Sequence, residues 1–114
     1  MLSSLFVCLC LFIVLMIIIS SPGINQVFGN SVTAVIPVGS FPQALVFNPS
    51  NNNIYVTNRD SGTVSVIETN NNTVTKSVAV GASPHALVFN PSNNNICVTN
   101  RDSGTVSVIE TNNN

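Results

Sequence analysis

Charged residues are scarce in this chain. Its 114 residues include three lysines and arginines together, four aspartates and glutamates, one histidine and no tryptophan, and the net charge is −1. A protein that binds the phosphate backbone of nucleic acid presents a basic stripe or patch, and three basic residues cannot form one. The composition therefore argues against nucleic acid as a partner.

Cysteine is also rare. Cys8 and Cys10 lie in an apolar leader, which leaves Cys97 as the single thiol in the rest of the chain. One cysteine forms neither a disulfide framework nor a zinc-binding spacing. Tyr55 occupies the equivalent position of an internal repeat described below, so we interpret Cys97 as a substituted strand residue rather than a reactive thiol.

The sequence contains no pattern typical of a catalytic or metal site. The single histidine, His85, stands where the other repeat has Gln43, which indicates a solvated or hydrogen-bonded residue. Asp60 and Asp102 recur in the same Asn-Arg-Asp-Ser-Gly turn, where we expect each carboxylate to cap local backbone amides. One carboxylate per loop is too few for a calcium site. We therefore predict no catalytic residue, no cofactor and no metal ion.

The remaining charges are interpreted as surface features. Glu68 and Glu110 are the last residues of the third strand of each repeat, where an edge charge discourages sheet-to-sheet association. Arg59 and Arg101 are expected to pair with neighbouring carboxylates.

The chain begins with a long apolar run. Leu5–Ile19 contains fifteen consecutive apolar residues, which suits a signal peptide better than a membrane span of about 20 residues. Cleavage after Gly29 is the favoured interpretation for the segment 1–29, which is expected to be a hydrophobic helix. Because the first four residues carry no lysine or arginine, an uncleaved anchor over residues 2–19 is the alternative. Either interpretation places the rest of the protein at the cell surface or outside the cell, with membrane contact only through this segment.

The rest of the chain is one 42-residue unit repeated. Residues 31–72 and 73–114 differ at nine positions of 42, which leaves 33 identical. The differing positions in the first copy are 31, 34, 35, 36, 37, 40, 41, 43 and 55. A period near forty residues indicates an architecture in which neighbouring units bury a shared core. The predicted organisation is a leader over 1–29, a first repeat over 30–72 and a second over 73–114.

Each repeat carries four strand signals rich in β-branched residues. In the first period they are Gln43–Asn48, Ile54–Asn58, Thr63–Glu68 and Thr73–Val80. The first strand is largely apolar and is expected to be covered on both faces, whereas the fourth alternates polar and apolar residues and is expected at a sheet edge. Asparagine and glycine between the strands predict tight turns.

The predicted fold class is all-β. Four antiparallel strands in about forty residues are typical of a β-propeller blade; a parallel solenoid, the rival, uses shorter periods. The chain enters at an outermost-type strand (Val32–Val38), makes one blade (Pro42–Val80) and stops after three strands of another (Pro84–Glu110). Two blades form an incomplete propeller, since closed rings have at least about four. This predicts a fragment of a larger propeller, the product of a decayed gene, or a unit that associates with itself or with other blades.

A four-residue segment within each repeat resembles a known family. The sequence Tyr-Val-Thr-Asn at Tyr55–Asn58, with its counterpart at Cys97–Asn100, is similar to the repeats of YVTN-family β-propellers, found in archaeal and bacterial surface-layer and secreted proteins. The motif residues are Tyr55, Val56, Thr57, Asn58, Cys97, Val98, Thr99 and Asn100. The resemblance covers residues 31–114 and implies a propeller blade and an extracellular location. It does not imply one chemistry, because the fold hosts many.

One modification site is predicted. Asn71-Asn72-Thr73 is an N-glycosylation acceptor in a turn, accessible if the protein is exported.

Two functions are compatible with these patterns. The first is a non-enzymatic exported repeat module for cell-surface structure or recognition, with an envelope polysaccharide or protein as partner. The alternative is a fragment of an enzyme-like propeller of the lactonase or quinoprotein dehydrogenase type. Such enzymes use loops that differ between blades, whereas the two repeats here carry almost the same loops, so the non-enzymatic function is favoured.

Overall fold

Seven β-strands account for the regular structure. The computed structural model describes residues 29–112, and no helix occurs among them. The strands are β1 (Pro42–Asn48), β2 (Asn53–Asn58), β3 (Thr63–Glu68), β4 (Thr73–Ala79), β5 (Pro84–Asn90), β6 (Asn95–Asn100) and β7 (Thr105–Ile109). The predicted all-β class is confirmed, and each predicted strand of the first period begins and ends within one residue of the observed one.

The strands form two antiparallel sheets within one compact unit, Ala34–Asn114. Sheet 1 has the order β1-β2-β3-β4 and sheet 2 has the order β5-β6-β7. Each strand pairs with the next one along the chain, so both sheets are simple meanders. The last strand of sheet 1, β4, is exposed along most of its length, as its alternating sequence predicted.

The turns between strands require unusual backbone angles, and suitable residues occupy them. Gly62 ends the turn between β2 and β3 with φ +64°, and its N–H donates to the Asn58 carbonyl at 3.0 Å. Asn52 ends the preceding turn with φ +56°. Asparagine and glycine tolerate this left-handed conformation better than other residues. The local sequence therefore sets both hairpins.

The core lies between the two sheets. Tyr55, Val64 and Val66 of sheet 1 pack against Ile96 and Val98 of sheet 2. Half-buried apolar residues surround this cluster: Val46, Val78, Val80, Leu87, Phe89 and Ile109. Burying these side chains between sheets supplies the hydrophobic stabilisation that neither sheet obtains alone.

The structure corrects two expectations. Strand β1 is not covered on both faces, since Leu45 is 67% exposed and Phe47 is also exposed; no second sheet of this unit lies on that side. Residues 32–38, expected to form an outermost-type strand, form none. A strand needs a hydrogen-bonded neighbour for its backbone groups, and no strand of sheet 1 or sheet 2 pairs with this segment.

The predicted leader, its cleavage point and the possible anchor lie outside the described residues except for Gly29. Within residues 29–112, no helix has the length and hydropathy needed to cross a membrane.

Candidate functional site

An open polar groove lies where the two repeated Asn-Arg-Asp-Ser-Gly turns approach each other. Its volume is about 540 Å³. The lining residues are Arg59, Asp60, Ser61, Gly62, Ala82, Ser83 and Asp102. One wall is the β2–β3 turn, and the other combines the segment before β5 with the β6–β7 turn. The two copies of one turn thus supply most of the chemistry of a single groove.

Serine hydroxyls hold these turns in place. The backbone N–H of Ser40 donates to Ser61 Oγ at 2.7 Å, and the N–H of Ala82 donates to Ser103 Oγ at 2.6 Å. Both serines come directly after the aspartates of the turns. The aspartates were predicted to cap local backbone amides, whereas these two amides come from segments 21 residues earlier in the chain and are bound by the serines.

The carboxylates of Asp60 and Asp102 lie close to other side chains. Asp102 Oδ2 accepts a hydrogen bond from Ser83 Oγ at 2.5 Å. Asp60 Oδ1 lies 3.9 Å from Arg59 Nε, and both side chains are largely exposed. The predicted ion pair of Arg59 is therefore present, whereas Arg101 makes no ion pair within residues 29–112.

One residue near the groove is held in a strained conformation. Phe41 has φ +57°, a region that bulky residues seldom adopt. Its carbonyl accepts the Arg59 N–H at 2.9 Å, and the Arg59 guanidinium lies 5.0 Å from the centre of its ring. The equivalent Ser83 has the same backbone geometry, with φ +52°. Contacts with the turn therefore impose this conformation in both repeats.

The residues of the four-residue motif do not line the groove. Their side chains instead form contacts within and between the sheets. Tyr55 is buried between the sheets and accepts a hydrogen bond from Asn51 Nδ2 at 3.1 Å. Thr57 Oγ1 accepts from the Ala44 N–H at 3.0 Å and donates to the Ala44 carbonyl at 3.3 Å, which bridges the bulge in β1. Thr99 makes the same pair of bonds in the second repeat.

The asparagine of the motif locks the hairpin below each turn. Asn58 Nδ2 donates to Thr63 Oγ1 at 3.1 Å and to Ser65 Oγ at 2.8 Å. A Cβ on Gly39 would lie 2.6 Å from the Asn58 side chain, so only glycine fits there. Asn100 repeats both bonds, and Gly81 repeats the close approach.

Sequence reasoning missed this role, although a glycine that recurs nineteen residues before the motif's asparagine in both copies was a readable signal. The Oδ1 atoms of Asn58 and Asn100 are buried without a hydrogen-bond partner in both repeats.

Other predicted site residues lie apart from the groove. His85 is exposed on β5, and Cys97 is a half-buried free thiol on β6. Asn71 is exposed in the β3–β4 turn, where its Oδ1 accepts a hydrogen bond from Thr73 Oγ1 at 2.7 Å. In the described part of the chain, no three acidic, histidine or cysteine side chains are grouped as metal ligands.

Comparison with known proteins supports the fold alone. No family model and no curated protein matches the chain. Among solved structures, the hydrazine synthase of Kuenenia stuttgartiensis is similar to it, with a TM-score of 0.59 and 24% identity. The likeness covers 72% of this chain and 24% of that chain. This chain therefore corresponds to a minor part of the larger protein.

Proposed function

We propose that this protein is a non-enzymatic, exported repeat module of the β-propeller type that acts in cell-surface structure or recognition. The observation that carries the proposal is the groove between two copies of one turn. A repeated display suits a partner that is itself repetitive, because weak contacts then multiply along an array. The proposed ligand is an uncharged, hydroxyl-rich polysaccharide of the cell envelope.

The chemistry of the groove supports such a ligand. Asp60 and Asp102 offer carboxylate oxygens that accept hydrogen bonds, Arg59 offers donors, and Ser61 and Ser83 offer hydroxyls. Sugar hydroxyls both donate and accept, so they can use all three kinds of group. The two carboxylates and one guanidinium sum to −1, which disfavours an anionic ligand and is compatible with a neutral one.

The proposal of a non-enzymatic role is supported by the arrangement of the reactive side chains. Catalysis requires different groups that converge on one reacting atom. The groove presents the same turn twice, and His85 is not among its lining residues. The propeller-type architecture is supported by the 42-residue repeat, the four-stranded meander and the sequence resemblance to YVTN repeats.

The binding proposal is tested with the double variant Asp60→Ala/Asp102→Ala of the full chain. A hydrogen bond to a charged group contributes about 1.5–3 kcal/mol, so affinity for polysaccharide from the native envelope should fall at least about tenfold. Isothermal titration calorimetry measures this fall. The control is His85→Gln, which places the residue of Gln43 at an exposed position outside the groove and should bind normally. Equal affinity of the double variant and the control would refute the groove as the site.

The non-enzymatic role is tested separately. Purified full chain is assayed with lactone and amine substrates, and no turnover is expected. Turnover that His85→Ala abolishes would contradict the proposal and favour the enzyme-like alternative.

A further inference from the structure

The contact between the two sheets has two different sides. We call the side of sheet 1 that packs on sheet 2 its back face, which carries Tyr55, Val64 and Val66. The side of sheet 2 that packs on sheet 1 is its front face, which carries Ile96 and Val98. Because the repeats are nearly identical, sheet 2 also has a back face and sheet 1 also has a front face.

Both remaining faces carry exposed apolar side chains, although Val56 and Ile67 on the front face of sheet 1 are themselves only 7% exposed. On the back face of sheet 2, Val106 is 60% exposed and Val108 is 59% exposed, whereas their equivalents Val64 and Val66 are 0% and 4% exposed. On the front face of sheet 1, exposed Leu45 and Phe47 correspond to Leu87 and Phe89, which pack into the core. The chain therefore presents both halves of a contact that it already makes internally.

Sheet 2 has three strands where sheet 1 has four. In sheet 1, β4 pairs with β3, with Ser77 opposite Ser65. Within residues 29–112, no strand pairs with the outer edge of β7. Residues 34–38 occupy the repeat positions of residues 76–80 but form no strand, and Val35 among them is 85% exposed.

Gly62 and Gly104 have different surroundings, and the difference shows that no segment pairs beside β7 within residues 29–112. Val80 N–H donates to the Gly62 carbonyl at 3.0 Å, and a Cβ on Gly62 would lie 3.5 Å from the Gly81 carbonyl oxygen. Gly104 has the same φ of +64° as Gly62, yet a Cβ there would meet nothing within 4 Å. The neighbour of Gly62 thus has no counterpart beside Gly104.

Chain order relates the open edge of β7 to residues 34–38. Strand β4 precedes β5 along the chain but pairs within sheet 1, the sheet that packs on the front face of sheet 2. By the same relation, residues 34–38 precede β1 and belong to a sheet in front of sheet 1. Sheet 2 of the same chain lies behind sheet 1, and a second copy can supply the sheet in front through the back face of its own sheet 2 and the outer edge of its β7.

We propose that a second copy of this chain docks head to tail by the relation that already joins the two sheets. The back face of sheet 2 covers the front face of sheet 1 of the second copy. Residues 34–38 of that copy add as the fourth strand beside β7, a known form of edge-strand recognition. Such a contact is heterologous, so it builds a ring if the rotation closes and a filament if it does not.

Two details agree with this placement. Pro37 occupies the repeat position of Ala79, the last residue of β4. Proline is tolerated at an edge strand. Between the sheets, Asn48 Nδ2 donates to Thr111 Oγ1 at 3.1 Å. The equivalent pair across the proposed contact is Asn90 with Thr69 of the second copy. This assembly does not depend on polysaccharide binding.

Disulfide trapping tests the register between chains. In a full chain whose three native cysteines are replaced by serine, one preparation carries Val35→Cys and another carries Ser107→Cys, the equivalents of the paired Ser77 and Ser65. Paired strand positions bring Cα atoms within the range of a disulfide. Mixed and oxidised, the two preparations should give a disulfide dimer that contains one chain of each kind.

The matched control replaces Ser107→Cys by Ser65→Cys, because β3 is already paired with β4, and the mixed dimer should be lost. A mixed dimer of equal yield with Ser65→Cys, a predominance of dimers of one kind, or no dimer at all would overturn the proposal.

Association itself is tested by light scattering on the full chain, which should have the mass of several chains. Ala34→Pro/Val35→Pro removes two successive N–H groups, one of which must face β7, and should reduce the mass to that of a single chain. Ala34→Thr/Val35→Thr keeps strand propensity and should retain the assembly. Far-UV circular dichroism should show that both variants keep the seven strands of the single chain. A monomeric wild type, or a proline variant that assembles normally, would refute the docked strand.

Discussion

Val64 and Val106 occupy the same position of the same pentapeptide, yet Val64 is fully buried and Val106 is 60% exposed. The difference cannot come from the residues themselves. Sheet 1 has sheet 2 behind it, whereas no sheet of the unit lies behind sheet 2. By contrast, the turns, the β1 and β5 bulges and the asparagine locks are the same in both repeats. Features made within a repeat are thus duplicated, and features made between sheets are not.

The largest difference in stability between equivalent substitutions is expected for Val64 and Val106. Val64→Asn places an amide in the apolar contact between the sheets and should lower the free energy of unfolding by more than about 3 kcal/mol. Val106→Asn at low chain concentration should change it by less than about 0.5 kcal/mol. Urea denaturation of the full chain measures both. Equal losses would mean that the back face of sheet 2 is covered within one chain. A loss for Val106→Asn that grows with chain concentration is expected from the proposed assembly.

The glycine pair should show the opposite pattern. Gly39→Ala and Gly81→Ala each place a Cβ less than 3.0 Å from an asparagine side chain of the same repeat, and overpacking of this kind costs about 2 kcal/mol. We expect equal losses, because the contact is local to each repeat. Thermal unfolding tests this.

A double-mutant cycle supplies the control for the glycine pair. The effect of Gly81→Ala should shrink in an Asn100→Gly background, because the Cβ, Cγ and Nδ2 atoms of Asn100 that the new Cβ would meet are all removed. Strict additivity would show that the strain arises elsewhere.

The smallest difference should appear at Asn48 and Asn90. Both accept hydrogen bonds from the serine two residues later, and Asn48 also donates to Thr111, which follows β7. Asn48→Ala should therefore cost about 1 kcal/mol more than Asn90→Ala. The excess should vanish when Thr111→Val is also present. An excess that persists in the Thr111→Val background would assign the difference to the burial of Asn48 rather than to the bond.

Much of the secondary structure could be predicted because its causes are local. Alternation of β-branched residues defined Thr63–Glu68, and Gly62 marked the turn before it. The candidate groove was less accessible. The sequence showed that Asp60 and Asp102 recur, but not that serines cap the turns, since hydroxyl and carboxylate oxygens accept the same amide hydrogens and only the three-dimensional path selects between them.

The segment 32–38 shows that local sequence alone does not determine whether a strand forms. Its sequence suits a strand as well as that of β4 does, but a strand forms only beside a partner that shares its hydrogen bonds.

The order of strands and turns follows from local sequence, because residue alternation and the backbone preferences of glycine and asparagine act over a few residues. The similarity of the two units follows from the repeated sequence as well. Which copy of each apolar face is buried depends on the packing of the sheets. Identical sequences have identical local preferences, and burial depends on whether a neighbour is present.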